Sequence, residues 1–162
     1  MKRIESMIAL LSRMVNWIAA ASIVGVMLLT VADIVLRFFR HPIPGAYEIA
    51  GMLGGMAVAF SLAYTSVEKG HIAVDLLVER IPTRLRALIT GIYSVISAMF
   101  FGIVSWQCML YGLDIQRSGE VSLSIRMPLH PFVYGMAFGL LLLTAVLVIE
   151  AAVSFRAAGR TR

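Results

Sequence analysis

The chain has 162 residues, 60% of them hydrophobic and 14% charged, with a net charge of +5. A soluble domain is about 45–50% apolar and about 25% charged, so these figures exclude an ordinary water-exposed globule, and the length excludes a separate soluble domain beside it. The cations sit at the ends of apolar runs and no basic stretch is interleaved with aromatics, so nucleic acid is not expected as a partner.

The first element opens with Lys2 and Arg3, and Ile4, Met7, Ile8 and Leu11 recur at helical spacing opposite them. This segment suits either an interfacial helix or a plain extension of the first span. Met14–Leu36 is then apolar apart from Asp33, long enough to cross a bilayer. A cleaved leader is disfavoured, because Arg13 splits the apolar region and the run continues well past Ala19-Ala20-Ala21. Asp33 and Arg37 stand at i, i+4 with the acid first, the better order for a helical ion pair. Asp33 lies one turn from the end of the span, so a helix-end pair is favoured over an ion-coupling site.

Pro42-Ile43-Pro44-Gly45 forms a short turn before the second span, approximately residues 48–67. Glu48 opens that span, where the helix dipole favours a carboxylate, and Arg37 or Arg40 across the turn are candidate partners for it. Gly51 and Gly55 make a GxxxG pair, a spacing that lets helices approach closely but also arises by chance in apolar helices.

The next loop runs Glu68-Lys69-Gly70-His71-Ile72-Ala73-Val74-Asp75-Leu76-Leu77-Val78-Glu79-Arg80-Ile81. His71, Asp75 and Glu79 at i, i+4, i+8 form one narrow polar stripe on an otherwise apolar helix. The spacing predicts an interfacial amphipathic helix over 70–81, fit for the membrane surface or a groove on another protein. Two adjacent donors fall short of a metal site, so no metal is expected.

The third span is expected over 86–113 and the fourth over 131–153. Gly135 and Gly139 make a second GxxxG pair in the fourth. His41 and His130 flank spans, His71 lies in a loop, and none sits at mid-span, so haem is not expected. Cys108 is the single cysteine and lies in an apolar run, where it packs as a small apolar residue. With no nucleophile–base pair, phosphate loop or metal motif, the residues indicate no enzyme and no cofactor.

Lys2, Arg3, Arg13, Lys69, Arg80, Arg84, Arg86, Arg156, Arg160 and Arg162 fall on one side of this four-span arrangement. Arg37, Arg40, Arg117 and Arg126 fall on the other. Positive charge stays in the cytoplasm, so both termini are expected there. The expected fold is an all-α membrane protein, a single four-helix transmembrane domain spanning 1–162.

Several pieces in this order carry a resemblance. They are Pro44-Gly45-Ala46-Tyr47-Glu48, then Glu68-Lys69-Gly70-His71-Ile72-Ala73-Val74-Asp75, Ile81-Pro82-Thr83-Arg84-Leu85-Arg86, Ser122-Leu123-Ser124-Ile125, and Pro131-Phe132-Val133-Tyr134-Gly135. Over nearly its whole length the chain resembles the small permease subunit, DctQ type, of tripartite ATP-independent periplasmic (TRAP) transporters. It departs at Ile125-Arg126-Met127-Pro128, where proline is expected directly after the apolar residue.

The resemblance implies a non-catalytic scaffold in the bacterial inner membrane. Its partners would be a large multi-helix permease subunit, a periplasmic solute-binding protein and membrane lipids. The transport implied is sodium-coupled import of an organic acid. Candidate partner contacts are Arg37, Arg40, Glu48, Gly51, Gly55, His71, Asp75, Glu79, Arg117, Arg126, Gly135 and Gly139. Two other classes remain: a self-oligomerising proton-coupled exporter, which needs an acid near mid-span, and the membrane anchor of a redox complex, with quinone rather than haem left open.

Overall fold

The computed structural model describes residues 2–67 and 83–160. They form helices α1 (Lys2–Phe38), α2 (Ala46–Val67), α3 (Thr83–Ser118) and α4 (His130–Arg160). Each contains a stretch long and apolar enough to cross a bilayer: Met14–Phe38, Ala46–Val67, Ala87–Ser118 and His130–Arg156. Hydrocarbon offers the backbone no hydrogen-bond partner, so such stretches satisfy their own peptide groups as helices. The expected interfacial helix over 70–81 falls outside the described residues.

The helices overrun the apolar runs that reveal them. α1 continues unbroken from the amino-terminal segment into the first span. α3 extends through Asp114 and Arg117, and α4 begins at His130. Charge marks where hydrocarbon ends, but a helix stops only where its terminal carbonyls find other donors.

Those stops are visible at two places. At the end of α1, His41 N–H donates to Leu36 O at 2.9 Å and Arg40 N–H to Arg37 O at 3.0 Å. Arg40 takes the left-handed conformation, φ 61°, and Pro42 follows. This is the double-bonded carboxy-terminal cap usually built on glycine. At the end of α3, Gly119 supplies the left-handed residue, φ 67°, and Glu120 N–H donates to Ile115 O at 3.2 Å.

In space the helices stand in the order α1, α2, α4, α3. α2 and α4 occupy the middle and run in the same direction, with α1 against α2 and α3 against α4. α4 buries the largest share of its span and α1 the smallest. The core joins Val15 and Ala19 of α1, Phe60 and Ala63 of α2, Ala98 of α3, and Leu142, Leu143 and Leu147 of α4. Large apolar side chains such as Met27, Leu28, Ile96 and Phe100 face outward. That pattern is costly in water and natural in lipid.

Close approach of α2 and α4 depends on glycine. A Cβ on Gly139 would meet Phe60 Cδ1 at 2.7 Å and the backbone carbonyl of Ala59 at 2.9 Å. One turn away the two helices exchange side chains reciprocally: Met136 covers Gly55, and Met56 covers Gly135. Ser105 Oγ donates to Ala137 O at 2.9 Å, tying α3 to α4.

Candidate functional site

Connections 39–45 and 119–129 lie at one end of the bundle, and two span carboxylates organise them. Asp33, in the last turns of α1, receives Arg37 Nη2 at 2.7 Å on one oxygen and the Ile43 N–H at 2.9 Å on the other. The i, i+4 spacing brings Arg37 back along the helix. The cap at Arg40 turns the chain so that Ile43 returns over the same carboxylate. Asp33 is almost buried, whereas the Arg37 side chain remains largely exposed. Asp33→Ala frees the Ile43 N–H and the Arg37 guanidinium together. We expect faster amide hydrogen exchange at residues 40–45 and little change at residues 55–63, read by mass spectrometry.

Glu48 does the same for the second connection. Its carboxylate accepts from Ser122 Oγ, from Ser124 Oγ at 3.0 Å and from the Ser124 N–H at 3.4 Å. Its partners are therefore serines of a distant loop, and the expected contact with Arg37 or Arg40 gives way to them. Arg37 is taken by Asp33, and the Arg40 side chain is exposed.

The loop itself is a small hairpin. Val121 and Pro128 form an isolated antiparallel bridge, Ser122 N–H donates to Met127 O at 2.9 Å, and Arg126 N–H returns to Ser122 O at 3.0 Å. Arg126 adopts φ 54° to close it. Arg126 thus occupies the left-handed position of the turn. Ile125 packs over Gly45, itself at φ 72°, where a Cβ would meet the Ile125 side chain at 2.8 Å.

This construction decides where Leu123 goes. Both of its serine neighbours are tied down onto Glu48, so its side chain is thrust outward, 97% exposed. Tyr47, Phe38 and Phe39 are also exposed at this end, as interfacial aromatics are. Arg40, Arg117 and Arg126 are exposed around them. Nearby, Tyr134 O–H donates to Gln116 at 2.7 Å, and its ring lies over Gly112, fixing the bases of the two helices that carry the hairpin.

The other candidates distribute differently. Gly55, Gly135 and Gly139 are spent on the α2–α4 contact inside the chain. Gly51 is exposed, with nothing within 4 Å of a built Cβ. His71, Asp75 and Glu79 lie outside the described residues. Among the described residues no group of three His, Cys, Asp or Glu side chains could hold a metal ion. Sequence reasoning missed the role of Ser122 and Ser124. The Ser-Leu-Ser alternation facing a first-turn carboxylate was the available signal.

The model of the DctQ component of tripartite ATP-independent periplasmic transporters matches residues 26–157. The chain belongs to this family. The match takes in both carboxylate latches, the hairpin and all four spans apart from the start of the first. No curated protein and no solved structure matches the chain. As a DctQ chain it is a membrane-embedded component of a TRAP transporter, a system that works through a large permease and a binding protein.

Proposed function

We propose that this chain is the static, non-catalytic scaffold subunit of a sodium-coupled, binding-protein-dependent importer of an organic acid. It supports the large permease in the inner membrane, with both termini in the cytoplasm, and its 39–45 and 119–129 connections help receive the periplasmic binding protein. The family match over residues 26–157 carries this reading.

The use of the span carboxylates supports the static part. An exporter that couples transport to protons needs an acid that alternates between partners along a path. Asp33 is held by Arg37 and Ile43, and Glu48 by Ser122 and Ser124. Both are committed to holding connections in place. Exposed Arg40, Arg117 and Arg126 offer cationic groups to an acidic docking surface, an attraction that weakens with salt.

The test is uptake in cells carrying the large permease and the binding protein, with and without this chain. Uptake is expected to vanish without it, and the chain is expected to co-purify with the permease. Normal uptake in its absence overturns the scaffold role. Solute movement by the purified chain alone in vesicles selects the exporter, and a haem absorbance band selects the redox anchor.

A further inference from the structure

α3 packs against α4 and leaves its far side uncovered. Ala98, Ser105 and Gly112 are buried and mark the side that meets α4. Ser105 donates to Ala137, and Gly112 lies under the Tyr134 ring. With about 3.6 residues per turn, Gln107, Tyr111 and Asp114 share one stripe about 150° round the helix from that side. All three are exposed, and Trp106 beside them is exposed as well.

The stripe is polar where a span facing lipid is apolar. Gly112 is met by Tyr134 and Gly102 by Thr144, so Gln107, midway between the two glycines, stands level with Gly139 of α4. Gly139 lies about 13.5 Å along the axis from His130, where α4 begins. Gln107 also lies about 10.5 Å below Asp114 on its own helix, farther than its side chain reaches. Among the described residues, the Gln107 amide, the Trp106 indole N–H, the Tyr111 hydroxyl and the Asp114 carboxylate have no hydrogen-bond or ion-pair partner.

Hydrocarbon offers these groups nothing. An amide facing lipid tails loses its water and gains no hydrogen bond in return. Polar side chains at such depth turn toward other polar groups. A second copy of this chain is a poor match. In a symmetric pair seated on this stripe each Asp114 faces its own counterpart, which sets two like charges at one seam. The occupant must bring a hydrogen-bonding side chain to the level of Gln107 and a donor or cation to the level of Asp114. Ile103 and Leu110, exposed on the same side, supply apolar contact around them.

We propose that the Gln107–Tyr111–Asp114 stripe of α3 seats a transmembrane helix of the large permease, which hydrogen-bonds Gln107 within the membrane and pairs with Asp114 near its edge. This rests on the scaffold reading and names the face through which the scaffold holds its partner. Because a hydrogen bond needs its partner at one height, Gln107 also fixes the depth at which the two subunits meet.

The test uses the tagged chain co-expressed with its permease, and measures the permease retained with it in mild detergent. Gln107→Leu is expected to reach the membrane at the wild-type level, since leucine suits lipid, and to retain about fivefold less permease. Adding Asp114→Asn is expected to lower retention further. A photo-crosslinking benzophenone residue in place of Leu110 is expected to capture the permease on illumination. Should Gln107→Leu accumulate poorly, the Leu110 crosslink decides.

Wild-type retention by Gln107→Leu overturns the proposal and leaves the scaffold reading standing. So does a Leu110 probe that captures only lipid, or only a second copy of this chain. A wild-type chain that retains no permease removes both readings.

Discussion

Gly139→Ala should destabilise the four-helix unit by about 1–3 kcal/mol, the cost of forcing one extra methyl into a packed contact, whereas Gly51→Ala should stay within about 0.5 kcal/mol of wild type. The difference lies in what each methyl meets. At Gly139 it would sit 2.7 Å from Phe60 Cδ1, 2.9 Å from Ala59 O and 3.0 Å from Ala59 C. The ring can turn aside, but the Ala59 peptide is part of α2 and moves only if the helix moves. Relief therefore requires α2 and α4 to separate, which loosens Phe60 and Leu143 in the core as well.

Gly139→Leu should be worse than Gly139→Ala. Gly55→Ala and Gly135→Ala should be milder, because the atoms in their way belong to flexible methionines, Met136 and Met56. Thermal unfolding in detergent, followed by loss of helix signal, ranks the series. At Gly51 there is open space, so any defect would appear outside the chain, as weaker co-purification with the permease. If Gly139→Ala unfolds at the wild-type temperature, the α2–α4 contact is looser than its geometry states.

The contrast among the four glycines shows what the sequence makes legible. Both GxxxG pairs are equally visible as spacing, and spacing alone assigns them all to packing. It cannot say that three serve the contact between α2 and α4 while Gly51 is left open, because that depends on which helices are neighbours. Neighbourhood is a property of the spatial order α1, α2, α4, α3, and apolar runs flanked by charges carry no information about it. The same runs do reveal four helices long and apolar enough to span, since the requirement for about twenty apolar residues acts locally.

The ends were less legible, for two physical reasons. Helix caps override composition: α3 carries Asp114 and Arg117 on as helix until Gly119 can turn the chain. Arg40 performs at the end of α1 the job ordinarily given to glycine, so no residue type announces that stop. The Asp33–Arg37 contact could be read from i, i+4 spacing, but the return of the Ile43 N–H to Asp33 requires that unannounced cap. Glu48 was visible as a first-turn carboxylate, and its nearest cations in sequence were the natural candidates. The serines that hold it are more than seventy positions away, brought there by the α2–α4 contact.

Glu48→Ala is therefore expected to release the 119–129 hairpin without unfolding the spans. Three donors lose their acceptor at once: the Ser122 and Ser124 hydroxyls and the Ser124 N–H. Ser122 is buried, so its hydroxyl cannot turn to water without the hairpin lifting off α2. Once it lifts, the contact of Ile125 with Gly45 goes too, and Leu123 loses its fixed direction.

Limited proteolysis should cut within 119–129 about tenfold faster in Glu48→Ala, while exchange of the α4 amides stays slow. Glu48→Gln keeps one acceptor oxygen but turns an N–H₂ toward hydroxyls that were donating, so it should lie between the two. Ser122→Ala should resemble Glu48→Ala more closely than Ser124→Ala does, because only Ser122 is buried.

Uptake separates structure from function in this series. If the hairpin helps receive the binding protein, Glu48→Ala and Leu123→Asp should both demand more binding protein for half-maximal uptake, although Leu123→Asp leaves the latch intact. If Glu48→Ala alone is impaired, the carboxylate matters for the scaffold and the exposed leucine does not. If protease finds the Glu48→Ala hairpin no more accessible than before, the serines are not what holds it down.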